Sequence, residues 1–216
     1  MSAKLISYSQ PVVASQNLID MVAYCARVSN PSNQMNTESN DRLIHYLIRN
    51  QHWSPFEMVS VCIEIETTRD IARQMLRHRS FSFQEFSQRY AVADLGFDVR
   101  ECRMQDSKNR QSSIETDNPE LQNQWASMQE ILLGNATKIY DWAIENGIAK
   151  EQARVVLPEG LTKSRLYMNG TLRSWIHYIQ LRSGNGTQKE HREIAIACAN
   201  ALLPIFPMMI DFVAVE

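Results

Sequence analysis

The stretch EMVSVCIEIET, Glu57 to Thr67, is where the chain changes its hydrophobic period. Val59, Val61, Ile63 and Ile65 alternate with Ser60, Cys62, Glu64 and Glu66. Successive side chains of a strand point to opposite faces, so an apolar set at period two predicts a strand with one buried face. On its N-terminal side the period is helical. Leu18, Met21, Val22 and Cys25 predict a helix over roughly 15–28, and Leu43, Leu47 and Ile48 predict another within NDRLIHYLIRNQ, residues 40–51.

On its C-terminal side Thr68 caps a predicted helix, RDIARQMLRH, residues 69–78. The segment after it, up to Tyr90, is too dense in Phe and Ser to be a clean helix. GFDVREC, residues 96–102, reads as a strand, and the polar residues 105–118 read as a surface loop or flexible insert. Asn118 and Pro119 start a long helix at about 119–146 that Gly147 ends, with Pro just inside the start and Gly just past the end. KEQARVVL, residues 150–157, is a short helix that stops before Pro158, and SRLYMNG, residues 164–170, is a strand. LRSWIHYIQLRS and KEHREIAIACANALLP are the last two helices. Helices, then strands, then helices, without regular βαβ alternation, predict an α+β fold. Its central sheet is largely antiparallel and flanked by several helices, in a single domain spanning residues 1–216.

The composition bounds the function. The chain has 216 residues, 44% hydrophobic and 21% charged, with a formal net charge of −2. That suits one domain with a sizeable core and excludes a protein that coats nucleic acid through bulk charge. Cys25, Cys62, Cys102 and Cys198 are widely spaced with no CxxC, so neither a disulfide framework nor a zinc or other metal site is expected. Reduced thiols point to a cytoplasmic compartment. The N-terminus lacks the apolar core of a signal peptide. The apolar run near the C-terminus is short and is broken by Pro204 and Pro207, so no membrane span is expected. Neither GxGxxG nor GxxxxGK[ST] occurs, so any phosphate must be held by side chains.

Cations collect in QMLRHRSFSFQEFSQRY, Gln74 to Tyr90. Arg69, Arg73 and Arg77 stack on one predicted helix face, where like charges repel by roughly 0.2–0.5 kcal/mol per pair. Glu64 or Glu66 pairing with Arg69 or Arg73, or plain solvation, would account for the first two. Arg77, His78 and Arg79 fall where the helix ends among Ser82, Ser87 and four aromatic rings, Phe81, Phe83, Phe86 and Tyr90. Arginine grips phosphate bidentately and rings stack on planar groups. That chemistry fits a nucleotide, with single-stranded RNA as the rival ligand.

The run Arg77 to Arg89 resembles the RHRxxSxxxxSxR signature of the flavin-dependent thymidylate synthases. HWSPFE (His52 to Glu57), ARVVLP (Ala153 to Pro158) and LRSWIHYIQLR with QKEHREIA resemble further elements of that family, in the family's order. The resemblance implies reductive methylation of dUMP to dTMP. Methylenetetrahydrofolate would be the carbon donor, FAD the cofactor and NADPH the reductant, in a homotetramer with active sites shared between subunits and no nucleic-acid or membrane partner. It implies dUMP contacts from Gln74, Met75, Leu76, Arg77, Glu85, Phe86, Ser87, Gln88, Arg89, Arg154 and Arg182. Arg182 would be catalytic, activating the uracil, with hydride delivered by the reduced flavin. FAD contacts would come from Ser54, Arg77, His78, Arg79, Glu85, Thr171, Leu172, Arg173 and His177, with His52 nearby. No cysteine lies in a shared motif, so no cysteine nucleophile is implied, and Ser87, with no base at a suitable spacing, is assigned to binding. The chain departs from the family's pattern at Thr171, where Asn is usual, and at Gly184 and Gly186, where a His often follows the final Arg.

Overall fold

In the computed structural model, which describes residues 1–12 and 17–214, the period-two stretch becomes the second strand of a four-stranded antiparallel sheet. The strands are β1 (Ser2–Tyr8), β2 (Ser60–Thr68), β3 (Phe81–Glu85) and β6 (Lys163–Thr171), in the order β1-β2-β6-β3. A separate hairpin pairs β4 (Arg103–Gln105) with β5 (Ser113–Glu115). The helices are α1 (Leu18–Ala26), α2 (Asn40–Arg49), α3 (Arg69–Met75), α4 (Pro119–Glu145), α5 (Lys150–Ala153), α6 (Leu172–Arg182) and α7 (Lys189–Leu202). The fold is α+β, as the order of periods implies. The part of the first predicted helix at residues 15 and 16 lies outside the described residues.

Alternation decides which face is core. Val61, Ile63 and Ile65 of β2 and Leu166 and Met168 of β6 are wholly buried. Trp175, Ile176 and Ile179 of α6 and Ile194, Ala195, Cys198 and Leu202 of α7 join them, with α1 and α2 contributing Leu18, Val22, Ile44 and Leu47. The Trp175 indole N–H donates to the Val61 carbonyl at 3.0 Å, so the largest core ring is tied to the central strand. The opposite face carries cross-strand polar pairs: Arg165 donates to Glu66 at 2.6 Å and Tyr167 to Glu64 at 2.7 Å, each directly opposite its partner.

β3 lies beside β6 because Gly170 has no side chain. A Cβ there would sit 2.4 Å from the Phe81 ring, which is Gly170's cross-strand neighbour. This packing positions the cation-rich segment. α4 begins as its sequence signals say. Pro119 occupies its first turn and Asn118 accepts from the Leu121 N–H at 3.1 Å. Gly147 follows at φ +75°, a left-handed conformation that favours glycine.

Several local expectations change. Residues 96–102 do not form a strand. Phe97 makes one isolated bridge to Thr162, and the main chain of Arg100 is satisfied by the Gln129 side chain of α4, which accepts at 2.8 Å and donates at 2.9 Å. A side-chain amide thus replaces a ladder partner. The 105–118 segment is not a plain loop, since Ser113–Glu115 pairs back on β4. Residues 81–85 form a strand, and β1 is an edge strand with a register shift between Leu5 and Ser7 that obscures its alternation. Thr68 holds the N-cap position of α3 but does not cap it. Its hydroxyl donates to Asp70 and accepts from Arg100. Arg69 and Arg73 pair with Glu159 at 3.2 and 2.9 Å, and not with Glu64 or Glu66, which Tyr167 and Arg165 occupy.

Candidate active site

Helix α3 stops at Met75 and the chain turns through Arg77, His78 and Arg79 into β3. The turn is closed by the His78 N–H, which donates to the Met75 carbonyl at 3.0 Å. This brings His78 against the C-terminal end of α6, where Arg182 Nε donates to His78 Nε2 at 3.0 Å. Arginine only donates, so His78 Nε2 must be bare and the ring neutral, its proton on the other nitrogen. Burial, reinforced by the adjacent Arg182 charge, holds His78 below the ordinary imidazole range. Its ring meets Tyr178 edge-on at 5.0 Å. Gln74, one turn back on α3, is bonded on both sides, to His191 at 3.0 Å and to Gln188 at 2.8 Å. Arg77 and Arg79 are exposed, and among the described residues neither side chain has a hydrogen bond or ion pair.

A second cluster gathers residues that the resemblance assigns to FAD. Glu57, in the turn Ser54–Met58, forms an ion pair with Arg173 on the first turn of α6. The Trp53 and His177 rings meet edge to face at 5.0 Å. Burial first, then the neighbouring Arg173, pushes the His177 imidazole down, against a weaker upward pull from Glu57. Arg173 Nε is buried with no hydrogen-bond partner among the described residues, an orphaned donor of the kind that a ligand oxygen satisfies. The Leu172 side chain is wholly buried and its N–H donates to Val59, so it lies behind this surface. Thr171 accepts from the Ser174 N–H at 3.2 Å and so caps α6. Asn and Thr are both N-cap residues, which explains physically why Thr can stand where the family usually has Asn.

A third group lies around the α4–α5 turn. Ser87, Arg89, Tyr90, Ile148, Lys150 and Glu151 line a cavity of about 640 Å³. Arg89 pairs with Glu151 at 3.2 Å, and Lys150 donates to the Tyr90 carbonyl at 3.0 Å. Arg154, half-buried just after α5, has no side-chain partner among the described residues. Glu85, at the end of β3, is held by Arg69 at 3.3 Å and by the Ser164 hydroxyl at 2.8 Å. The Met75 side chain is wholly in the core and Gln88 is buried, while Leu76 and Phe86 are half-buried.

The structure therefore gathers Gln74, His78 and Arg182 in one place, Ser54, Arg173 and His177 in a second, and Ser87 and Arg89 in a third. Among the described residues no hydrogen bond or ion pair joins these groups within one chain. Sequence reasoning passed over Tyr178, Gln188 and Glu190 and took His191 for an ordinary histidine. Their connection to Gln74 spans about a hundred residues of chain, which spacing alone does not show.

The chain matches the family model described as "Thymidylate synthase complementing protein" over residues 5–208. It is 50% identical over 208 residues, 96% of each chain, to a probable flavin-dependent thymidylate synthase of Paramecium bursaria Chlorella virus 1. It is 46% identical over 211 residues, again 96% of each, to the flavin-dependent thymidylate synthase of a Synechocystis species. Among solved structures, a UMP/dUMP methylase of Streptomyces cacaoi bound with 5-Br dUMP superposes with a TM-score of 0.81 at 26% identity, covering 98% of this chain and 93% of that one. With the family model spanning nearly the whole chain and relatives this similar end to end, the chain belongs to the flavin-dependent thymidylate synthase family.

Proposed function

We propose that Arg182, held by His78, is the cation that activates the uracil of dUMP in this enzyme. The chain is a flavin-dependent thymidylate synthase that methylates dUMP to dTMP, with FAD as cofactor and methylenetetrahydrofolate and NADPH as co-substrates. The observation that carries the residue assignment is the 3.0 Å bond from Arg182 Nε to His78 Nε2. It joins the RHR segment to the end of α6. It fixes the guanidinium plane and leaves the two terminal nitrogens to meet the ring. A fixed positive charge lowers the cost of negative charge on the pyrimidine and needs no reorganisation during reaction.

Arg77, Arg89 and Arg154 suit the dUMP phosphate, since guanidinium groups match phosphate geometry. Among the described residues Arg77 and Arg154 lack protein partners that would compete for that role. The FAD surface is supported by a donor set of matching chemistry. Among the described residues Arg77, Arg79 and Ser54 have uncommitted side chains and Arg173 Nε lacks a partner, while Trp53 and His177 supply rings. When bound there, FAD supplies the redox chemistry that the side chains lack. Ser87 is exposed and its hydroxyl is bonded to no base among the described residues, so it suits binding and not attack.

That no hydrogen bond or ion pair joins the three groups among the described residues supports sites completed by a second copy in a homotetramer. So does α4, where Trp125, Met128, Leu132, Ile139 and Trp142 are exposed in a stripe beside the edge that packs on the chain's own fold. Among the described residues no helix is long and apolar enough to cross a membrane.

The visible spectrum of the purified protein, taken after FAD loading and gel filtration, tests this reading. It predicts a retained flavin band that NADPH bleaches and dUMP perturbs. A protein that cannot hold FAD would overturn it.

A further inference from the structure

A chain of side-chain hydrogen bonds runs from the core to the surface behind Gln74. Its direction is fixed at the Glu190 end. Glu190 is nearly buried and is paired with Arg103 and, at 3.7 Å, with Arg100, so it can only accept. Gln188 Nε2 donates to it at 2.9 Å, which leaves Gln188 Oε1 to accept from Gln74 Nε2 at 2.8 Å. Gln74 Oε1 must then face His191 Nδ1 at 3.0 Å as an acceptor, so Nδ1 carries the proton. His191 Nε2 is left bare and accepts from the Tyr178 hydroxyl at 3.1 Å. In every link a donor meets an acceptor, and only one tautomer of the neutral His191 ring and one orientation of the Gln74 amide satisfy all the links.

His191 is suited to stay neutral in this role. Its side chain has no exposure, its ring lies 6.5 Å from that of His78, and Arg182 also faces it. Among the described residues no carboxylate bonds to either ring nitrogen. A protonated ring would present a donor to Tyr178 and reverse that link.

We infer that His191 is a positioning residue for the pyrimidine site: through its Nδ1–H it locks the Gln74 amide, so that Gln74 offers its remaining N–H, and not its oxygen, to a carbonyl of the substrate ring. The inference rests on the assignment of Gln74 to the dUMP site. Tyr178 enters as the hydroxyl that donates to the Nε2 this tautomer leaves bare. The device differs from the Arg182–His78 pair. That pair fixes a charge, whereas this chain fixes the polarity of a neutral amide, which sets which edge of a pyrimidine fits.

The test compares dUMP binding to the FAD-loaded protein for wild type, His191→Leu, His191→Asn and Gln74→Ala, with thermal unfolding run in parallel. An Asn side chain can place its amide nitrogen near the position of Nδ1 and so keep the donor to Gln74. The expected result is that His191→Leu and Gln74→Ala each weaken dUMP about tenfold, the order of one hydrogen bond. His191→Asn should recover most of that loss. The KM for dUMP should rise with kcat changed far less, since a ground-state contact is lost. A structural role alone would lower stability without this split or this rescue. The 15N shifts of His191 in the free protein provide a second readout, with Nδ1 protonated and Nε2 bare. If His191→Leu binds dUMP like wild type while Gln74→Ala does not, the inference fails and the Gln74 assignment stands. If neither variant weakens dUMP, the inference fails together with that assignment. An Nε2-protonated ring would also overturn it.

Discussion

Arg182 and His78 are 104 positions apart, yet the direction of the bond between them settles the state of both groups. Replacing Arg182 with Ala should lower kcat/KM by about a hundredfold to a thousandfold, the usual effect of removing a preorganised charge stabiliser. Lys should restore little, because it cannot donate from a fixed planar fork. Steady-state kinetics with dUMP checks both. His191 gives a pH prediction. Burial, with Arg182 and His78 facing it, pushes its pKa from 6.5 to about 3. Between those values the unfolded chain takes a proton that the folded chain refuses. Stability is therefore undiminished above the unfolded value and falls as the pH drops below it, by up to about 1.4 kcal/mol per pH unit. Urea unfolding at about pH 7 and about pH 5.5 should show a loss of roughly 1 kcal/mol more in wild type than in His191→Asn. Equal losses would contradict the assignment. At this scale the sequence displayed the arginine-rich run and its serines directly, because those residues are neighbours in the chain. It could not display that Gln74 bonds to His191 or that Arg173 is left with an orphaned Nε, since both depend on how α3, α6 and α7 pack.

At the scale of elements, β2, β6, α4, α6 and α7 were legible because each carries a long, regular period or a strong terminal signal. The strand expected over residues 96–102 was not formed, because Gln129 bonds its main chain. β3 was hidden by its density of rings, and its place depends on a distant glycine. Gly170→Ala should cost about 1–3 kcal/mol, the range for forcing atoms into a filled site, because the new Cβ meets the Phe81 ring at 2.4 Å. Denaturant unfolding measures that cost, and dUMP affinity should fall with it as the 77–90 segment shifts. The N-terminus of α6 offers a paired control. Thr171→Ala should lose about 1 kcal/mol with the cap, while Thr171→Asn should stay within roughly 0.5 kcal/mol of wild type. An Asn variant as unstable as the Ala variant would show that the hydroxyl does something other than capping.

At the scale of the whole molecule, among the described residues no hydrogen bond or ion pair joins the three residue groups within one chain, and the apolar stripe of α4 is exposed. Covering it is the economical explanation for both. Met128→Lys with Trp142→Glu should reduce the particle in sedimentation equilibrium toward the 24.9 kDa monomer and abolish turnover, while each chain still folds. The wild type should sediment near four times that mass. A fully active monomer would contradict the shared-site reading. The central claim, that this fold methylates dUMP through Arg182, is tested most directly by tritium release from dUMP labelled at C5. The account predicts release that requires FAD, NADPH and methylenetetrahydrofolate together and is nearly lost in Arg182→Ala. Release that is absent from the FAD-loaded wild type, or unchanged in the Arg182 variant, would contradict it.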